Sequence, residues 1–197
     1  PGDDFLSTLI LAEDEGSKLT NLEMCALVGA VLGAGSDTAV DLHSYLIKNL
    51  LQHPDQFNAL KENESLVQGA ISETLRYESS GKTGLARYAS EDMEIQGHNI
   101  QKGQMVQLIT STAGMDTSIY DNPDQFNIAR SHDKSISFGQ GPHYCIGVTL
   151  VRSQTEVMLK ELFKRFPKLS LGNEIVYDYN HHNARRMDVM TVKTNIS

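Results

Sequence analysis

The stretch most able to do chemistry is the loop SFGQGPHYCIG, residues 137–147, where Gly139, Gly141 and Gly147 surround Cys145 just ahead of a long helical pattern. A thiol at a helix start faces unpaired N–H groups and the positive end of the helix dipole, which favour thiolate over thiol. The glycines let the backbone approach a flat ligand closely. A sulfur so held would bind a soft or borderline metal. The residues alone leave open a small buried cysteine in a turn. A structural zinc pairing His143 with Cys145 lacks the second close-spaced doublet that tetrahedral zinc needs, and His181-His182 is a weak substitute. A nucleophilic Cys145 with His143 as its base fails on geometry, two residues apart in a tight glycine turn.

Two further patterns lie upstream. Glu73 and Arg76 stand one helical turn apart and could pair on one face, which taken alone reads as a solvated bridge. The run AGSDT, residues 34–38, sits inside a long helical pattern, where Thr38 has the Ala34 carbonyl four residues back within reach of its hydroxyl.

The elements that must position these groups follow from capping and periodicity. TNLE makes Thr20 a helix N-cap with Glu23 as its capping-box partner, and apolar residues recur at helical spacing toward Leu51, ended by Pro54. Such a rod is about 48 Å long and able to cross a whole domain. It nonetheless carries Gly29, Gly33 and Gly35, each costing roughly 1 kcal/mol relative to Ala in a helix interior. Short helices follow from Pro54 and from about Ser65 to Tyr77. Residues 83–112 then alternate in polarity around turns at Gly97 and Lys102-Gly103, which predicts small antiparallel sheets. Residues 113–144 form a long irregular stretch of the kind that carries function. A helix from Ile146 to Phe166 stops at Pro167, and the tail reads as short strands around YDYNHHNARR. Cys25, among Leu22, Met24 and Leu27, reads as core.

The 197 residues carry a net charge of −8 with scattered Lys and Arg, which argues against a nucleic-acid or anionic-membrane surface. Two cysteines in unlike contexts make a disulfide framework improbable and fit a reducing compartment. No run of about 18 apolar residues appears, and the start lacks a signal-peptide pattern, so the chain reads as soluble and cytoplasmic. It begins at Pro1 without an initiator Met, which leaves a missing upstream segment open.

FGQGPHYCIG matches, at every fixed position, the haem-binding loop Phe-Gly-x-Gly-x-His-x-Cys-x-Gly of the cytochrome P-450 family, and the sequence resembles the C-terminal half of a soluble, bacterial-type member. The resemblance implies a mainly α fold with small β-sheets (α+β). Residues 1–197 would be one haem-binding portion, with haem b (iron protoporphyrin IX) between the long helix and the Cys145 loop. Cys145 would be the axial iron ligand. Phe138, Gly139 and Gly141 would line the ring, His143 and Arg87 would meet its propionates, and Ala34 and Gly35 would clear its distal face. AGSDT resembles the family's Ala/Gly-Gly-x-Asp/Glu-Thr, which makes Asp37 and Thr38 the acid and alcohol that pass protons. Glu73 and Arg76 match the family's ExxR, completed by Arg130 in PDQFNIAR, three residues that would hold the Cys145 loop in place.

The implied activity is monooxygenation of a small apolar organic substrate by dioxygen, with electrons from a ferredoxin- or flavin-type donor and no nucleic acid. The rivals are a haem-thiolate peroxygenase, isomerase or dehydratase, and a non-catalytic binding subunit or fragment. GKTGL and the 178–183 loop fall where substrate-contacting segments are expected. Because the resemblance spans only half of a usual member, the N-terminal half would come from a second chain, from other copies, or from a longer protein. Locally, TAGMDTSIY departs from the usual Ala-Asn-Arg-Asp-Pro at Gly114 and Met115, which puts the contacts of that stretch in doubt.

Overall fold

The structure, a computed structural model, describes residues 2–11, 13–14, 17–81, 84–180 and 184–194. It divides into two units, residues 1–40 and 41–197.

In the first unit, helix α1 (Phe5–Leu11) is started by Asp4, whose carboxylate accepts the Ser7 N–H at 2.8 Å and the Ser7 hydroxyl at 2.8 Å. Strands β1 (Glu13–Asp14) and β2 (Ser17–Lys18) pair antiparallel. Helix α2 (Asn21–Gln52) then begins on the expected capping box: the Thr20 N–H donates to Glu23 Oε2 at 2.8 Å, and the Glu23 N–H donates to Thr20 Oγ1 at 3.3 Å. The Thr20 N–H and the Thr20 hydroxyl, both donating to Glu23 Oε2, hold the Glu23 carboxyl below its ordinary pKa.

The first twenty residues of α2 are mostly exposed, with Leu22 at 79% and Leu32 at 65%. Cys25 is exposed as well, so the expectation that it is core is wrong; its apolar neighbours on the helix themselves face solvent. A helix apolar on many sides is built to be covered. An 18-residue stretch of α2 has a mean hydropathy of 1.3, so by length and composition alone the helix is apolar enough to cross a membrane. The core helix of a large folded protein has the same composition.

In the second unit the character of α2 changes. Leu42, Leu46 and Leu50, four residues apart, are buried against Phe57 and Leu60 of α3 (Pro54–Glu62) and Val67, Ala70 and Ile71 of α4 (Val67–Tyr77). Leu159 of the 18-residue α6 (Val148–Arg165), together with Phe126 and Ile128 from the irregular stretch, completes the core. The expected small sheets form two antiparallel pairs, β3 (Leu85–Tyr88) with β6 (Met105–Leu108) and β4 (Met93–Ile95) with β5 (His98–Ile100). A short helix α5 (Thr110–Ala113) follows. In the tail, β7 (Ser170–Asp178) and β8 (Arg186–Lys193) make a longer antiparallel pair than the sequence suggests.

A partly buried charge cluster fastens that tail. Glu78, the C-cap of α4, holds Lys48 of α2 through Oε2 and Arg185 through Oε1 at 2.9 Å. The Tyr45 hydroxyl donates to the Arg185 carbonyl at 2.8 Å, and its ring lies 6.5 Å from that of Tyr177.

Candidate functional site

Glycine stereochemistry shapes the Cys145 loop. Gly139 (φ +75°) and Gly141 (φ +67°) occupy the left-handed region, where a side chain would be strained. Their turns bring the Cys145 N–H onto the Phe138 carbonyl at 2.9 Å, and the Tyr144 N–H onto Gly141 O at 3.0 Å. Helix α6 starts two residues later than the sequence suggests, because Gly147 serves as its N-cap, and no side chain caps it. The Cys145 N-to-Phe138 bond fastens the backbone, so the thiol is free and exposed.

Around it Tyr144, Ile146 and Leu150 are exposed, Ile146 at 96%, and a Cβ built on Gly141 would meet nothing within 4 Å. A free sulfur on an open glycine backbone, among uncovered apolar side chains, suits a flat apolar ligand with a metal at its centre. The residues therefore fit a haem. Phe138 packs against the core cluster with the Arg152 guanidinium 5.5 Å from its ring centre. His143 is exposed in the turn Gly141–His143. Arg87 is exposed on β3 and donates to the Ala86 carbonyl at 2.8 Å.

Glu73, Arg76 and Arg130 meet inside the protein, not in a solvated bridge. Glu73 is fully buried and Arg76 is 2% exposed. The Glu73 carboxylate accepts from Arg76 Nε and Nη2, both at 2.7 Å, and from the Asn127 N–H at 2.8 Å, with Arg130 Nε at 3.3 Å. Bidentate charge-assisted geometry of this kind is the strong form of the ion pair.

Arg76 also donates to the carbonyls of Gly114 (2.7 Å), Pro123 (2.7 Å) and Gln125 (3.1 Å). Arg130 reaches those of Asp121 (2.6 Å), Asn122 (3.1 Å) and Gln125 (3.1 Å). Two guanidiniums thus organise an irregular stretch that has little secondary structure of its own. At its departure from the family pattern, Gly114 is required by close approach: a Cβ there would lie 2.5 Å from the Arg76 carbonyl oxygen.

Three residues at this site carry no signal in the sequence. Gln56 bridges Phe126 O at 2.6 Å and the Ile128 N–H at 2.8 Å. His132 places Nε2 3.6 Å from Glu73, and burial pushes its pKa below the ordinary histidine value against the upward pull of Glu73. Arg152 lies on the buried side of α6. An isolated Gln, His or Arg is not distinguishable from surface until the chain folds.

Ala34, Gly35, Asp37 and Thr38 are exposed on α2 in the first unit. Thr38 Oγ1 donates to the Ala34 carbonyl at 2.6 Å, as helical spacing allows, and Ser36 likewise bonds Leu32 O. A Cβ on Gly35 would meet nothing within 4 Å. Of the two expected substrate-contacting segments, residues 82–83 and 181–183 lie outside the described residues.

A family model for cytochrome P-450 matches residues 2–175. The chain is 36% identical over 189 residues to the epothilone C/D epoxidase of Sorangium cellulosum, covering 96% of this chain and 45% of that protein. It is 39% identical to the biotin biosynthesis cytochrome P-450 of Bacillus subtilis, covering 88% of this chain and 43% of that one. An epothilone D-bound crystal structure, P450epoK, superposes with a TM-score of 0.90 over 99% of this chain and 48% of its own, at 36% identity. A testosterone complex from Bacillus megaterium gives 0.92 over 100% and 54%, at 30% identity. The chain thus spans about half the length of the relatives it matches. A mainly helical fold with small antiparallel sheets, a cysteine loop that fits haem b, and relatives of one kind over nearly every residue lead to one assignment: the chain belongs to the cytochrome P-450 family, whose cofactor is haem b.

Proposed function

We propose that this chain is the haem-holding part of a thiolate-ligated monooxygenase acting on a small apolar organic molecule. The observation that carries the reading is the free, exposed Cys145 on a glycine-shaped loop, joined through residues 131–138 to the buried Glu73 cluster. Bound haem supplies an iron centre able to activate dioxygen when electrons arrive one at a time from a ferredoxin- or flavin-type donor.

The chain's own residues have distinct tasks in that reading. Cys145 Sγ would hold the iron, and the Cys145 N-to-Phe138 bond fastens the backbone that carries the sulfur. Gly139 and Gly141 would let the backbone lie close to the ring, and Phe138 would pack beside it. His143 and Arg87 are exposed donors available to the propionates. Asp37 and Thr38 hold and pass protons; the Thr38 hydroxyl already has a carbonyl, that of Ala34, on which to rest its own proton. Ala34 and Gly35 leave room beside them. Glu73, Arg76 and Arg130 touch no reacting atom and hold the loop. Residues 1–197 work as one haem-binding portion, completed by the half that relatives of twice this length possess.

Relatives named as an epoxidase and a dihydroxylase support insertion of oxygen into apolar C=C or C–H bonds. P450BioI was solved with a fatty-acyl acyl carrier protein, so a carrier-tethered substrate is one form the apolar molecule could take. We place the enzyme in the cytoplasm, by likeness to bacterial relatives. The test is turnover under isotopically labelled dioxygen with a reduced ferredoxin donor and a panel of apolar substrates. One labelled oxygen atom per product supports the reading; product formed only when peroxide is supplied contradicts it.

A further inference from the structure

We propose that a cavity of about 270 Å³ behind the Cys145 loop is a binding site for a small oxyanion, of sulfate, phosphate or carboxylate chemistry. The cavity lies wholly within the second unit. Its wall takes Ser72 from α4, His132, Ser135 and Ser137 from the strap leading to the loop, and Arg152 from α6. None of the Glu73 cluster's direct partners except His132 lines it.

Two of its buried groups lack hydrogen-bond partners. Arg152 Nε is shut off from solvent and has no hydrogen-bond partner, and the same is true of both ring nitrogens of His132. His132 Nε2 faces the Glu73 carboxylate at 3.6 Å, so Arg152 Nε and His132 Nδ1 are the buried atoms left without a partner, and buried polar atoms are nearly always bonded. In either tautomer one His132 nitrogen is a donor, and in the imidazolium both are. Ser135 and Ser137 add hydroxyls: Ser135 Oγ donates to Ser137 Oγ at 3.2 Å and accepts the Ser137 N–H at 3.4 Å, which leaves the Ser137 hydroxyl as a donor. Asp133 is the one acid on the wall; it is exposed, and its carboxylate accepts the Ser131 hydroxyl at 2.7 Å. A guanidinium beside several neutral donors is the arrangement that recognises an oxyanion. Water could fill the same volume but would bring no charge to Arg152.

The site bears on the thiol, because Phe138 forms part of the wall and accepts the Cys145 N–H. An occupant would brace the loop from behind. Binding would also take up a proton. His132 faces Glu73 and Arg76 on α4, Arg130 and Asp133 on its own strap, and Arg152 on α6; Glu73 favours its charged form, while burial, Arg76 and Arg130 oppose it. An anion arriving beside the ring tips that balance toward imidazolium.

The experiment is calorimetric titration of the haem-loaded, full-length protein with sodium sulfate against chloride of equal ionic strength, with the His132 ring followed by NMR. Sulfate keeps its charge from pH 8 to 6, so any proton uptake belongs to the protein. Saturable binding that moves the His132 resonances is expected, strengthening roughly two- to tenfold over those two pH units. Arg152→Gln should weaken it by about tenfold or more and His132→Asn by less. Arg165→Gln, at an exposed pair on the same helix, should leave it unchanged. If Arg152→Gln does not fold, Arg152→Lys, which keeps the charge and loses the fork, should still weaken binding.

No saturation, an unmoved His132, or equal losses in Arg152→Gln and Arg165→Gln would each show an ordinary surface ion and overturn the proposal. Binding seen only without haem would assign the cavity to the cofactor's seat and overturn it too. Failure of the thiolate reading is scored separately, by the carbon monoxide spectrum, since every group in this site belongs to the protein.

Discussion

Replacing Glu73 by Gln keeps the side chain's size and one acceptor oxygen but removes the charge opposite a guanidinium that is 2% exposed. Arg76 would keep its three carbonyl partners, so it would not lose every bond, but its charge would stay buried without a counter-ion. Breaking one side of a buried pair costs about 3–5 kcal/mol. The retained acceptor places Glu73→Gln at the low end, about 3 kcal/mol, a large share of the 5–15 kcal/mol typical of a folded domain.

Urea unfolding of the haem-loaded, full-length protein, followed by far-UV circular dichroism, measures the loss. Glu161→Gln, which breaks the exposed pair with Arg165 on α6, is the control and should cost under about 0.5 kcal/mol. Adding Arg76→Met to Glu73→Gln should recover only part of the loss, because the carbonyls of Gly114, Pro123 and Gln125 would then lack their donor. A loss below about 1 kcal/mol, or one equal to the control, would refute the argument that this cluster holds the irregular stretch.

Gly114→Ala should destabilise by about 2 kcal/mol or more in the same assay, since its Cβ would meet the Arg76 carbonyl at 2.5 Å. Thr38→Ala should let electron consumption outrun product, measured as donor oxidised per product formed; unchanged coupling would remove Thr38 from proton delivery. Stability should fall with acid. Burial pulls the pKa of His132 and His43 below the ordinary value in the folded state, so the unfolded chain takes up protons first, and their stabilisation, complete above that value, is lost as pH drops toward the folded pKa. Unfolding free energies between pH 7 and 5 should show this slope, flatter in His132→Asn.

What the sequence made legible is what local rules decide. The capping box at Thr20 and the stop at Pro54 bounded α2 within a residue or two, and turn glycines placed the small sheets. The ten-residue loop announced the cysteine site because glycines and a cysteine at a helix start have few other uses together. Glu73 and Arg76 looked like a surface pair, since spacing says which residues share a helix face and nothing about what covers that face. The resemblance supplied Arg130 as a third member, and the fold adds Asn127 on the same carboxylate and buries the pair. Gly114 read as a departure from pattern, yet its missing side chain is what admits the Arg76 backbone. Cys25 was misread because apolar neighbours at helical spacing imply burial, whereas Leu22, Leu27, Val31 and Leu32 are all exposed. His132 and Arg152 gave no signal, because the groups that surround them, Glu73 and Phe138, lie on other elements.

The bond between Cys145 sulfur and haem iron decides the account. Haem-loaded, full-length protein should be reduced under carbon monoxide and its absorption spectrum compared with that of Cys145→Ser. A Soret band shifted strongly to the red in the native protein, and absent from the variant, is the predicted result. A native spectrum without that shift, or one that survives the loss of the thiol, would contradict it.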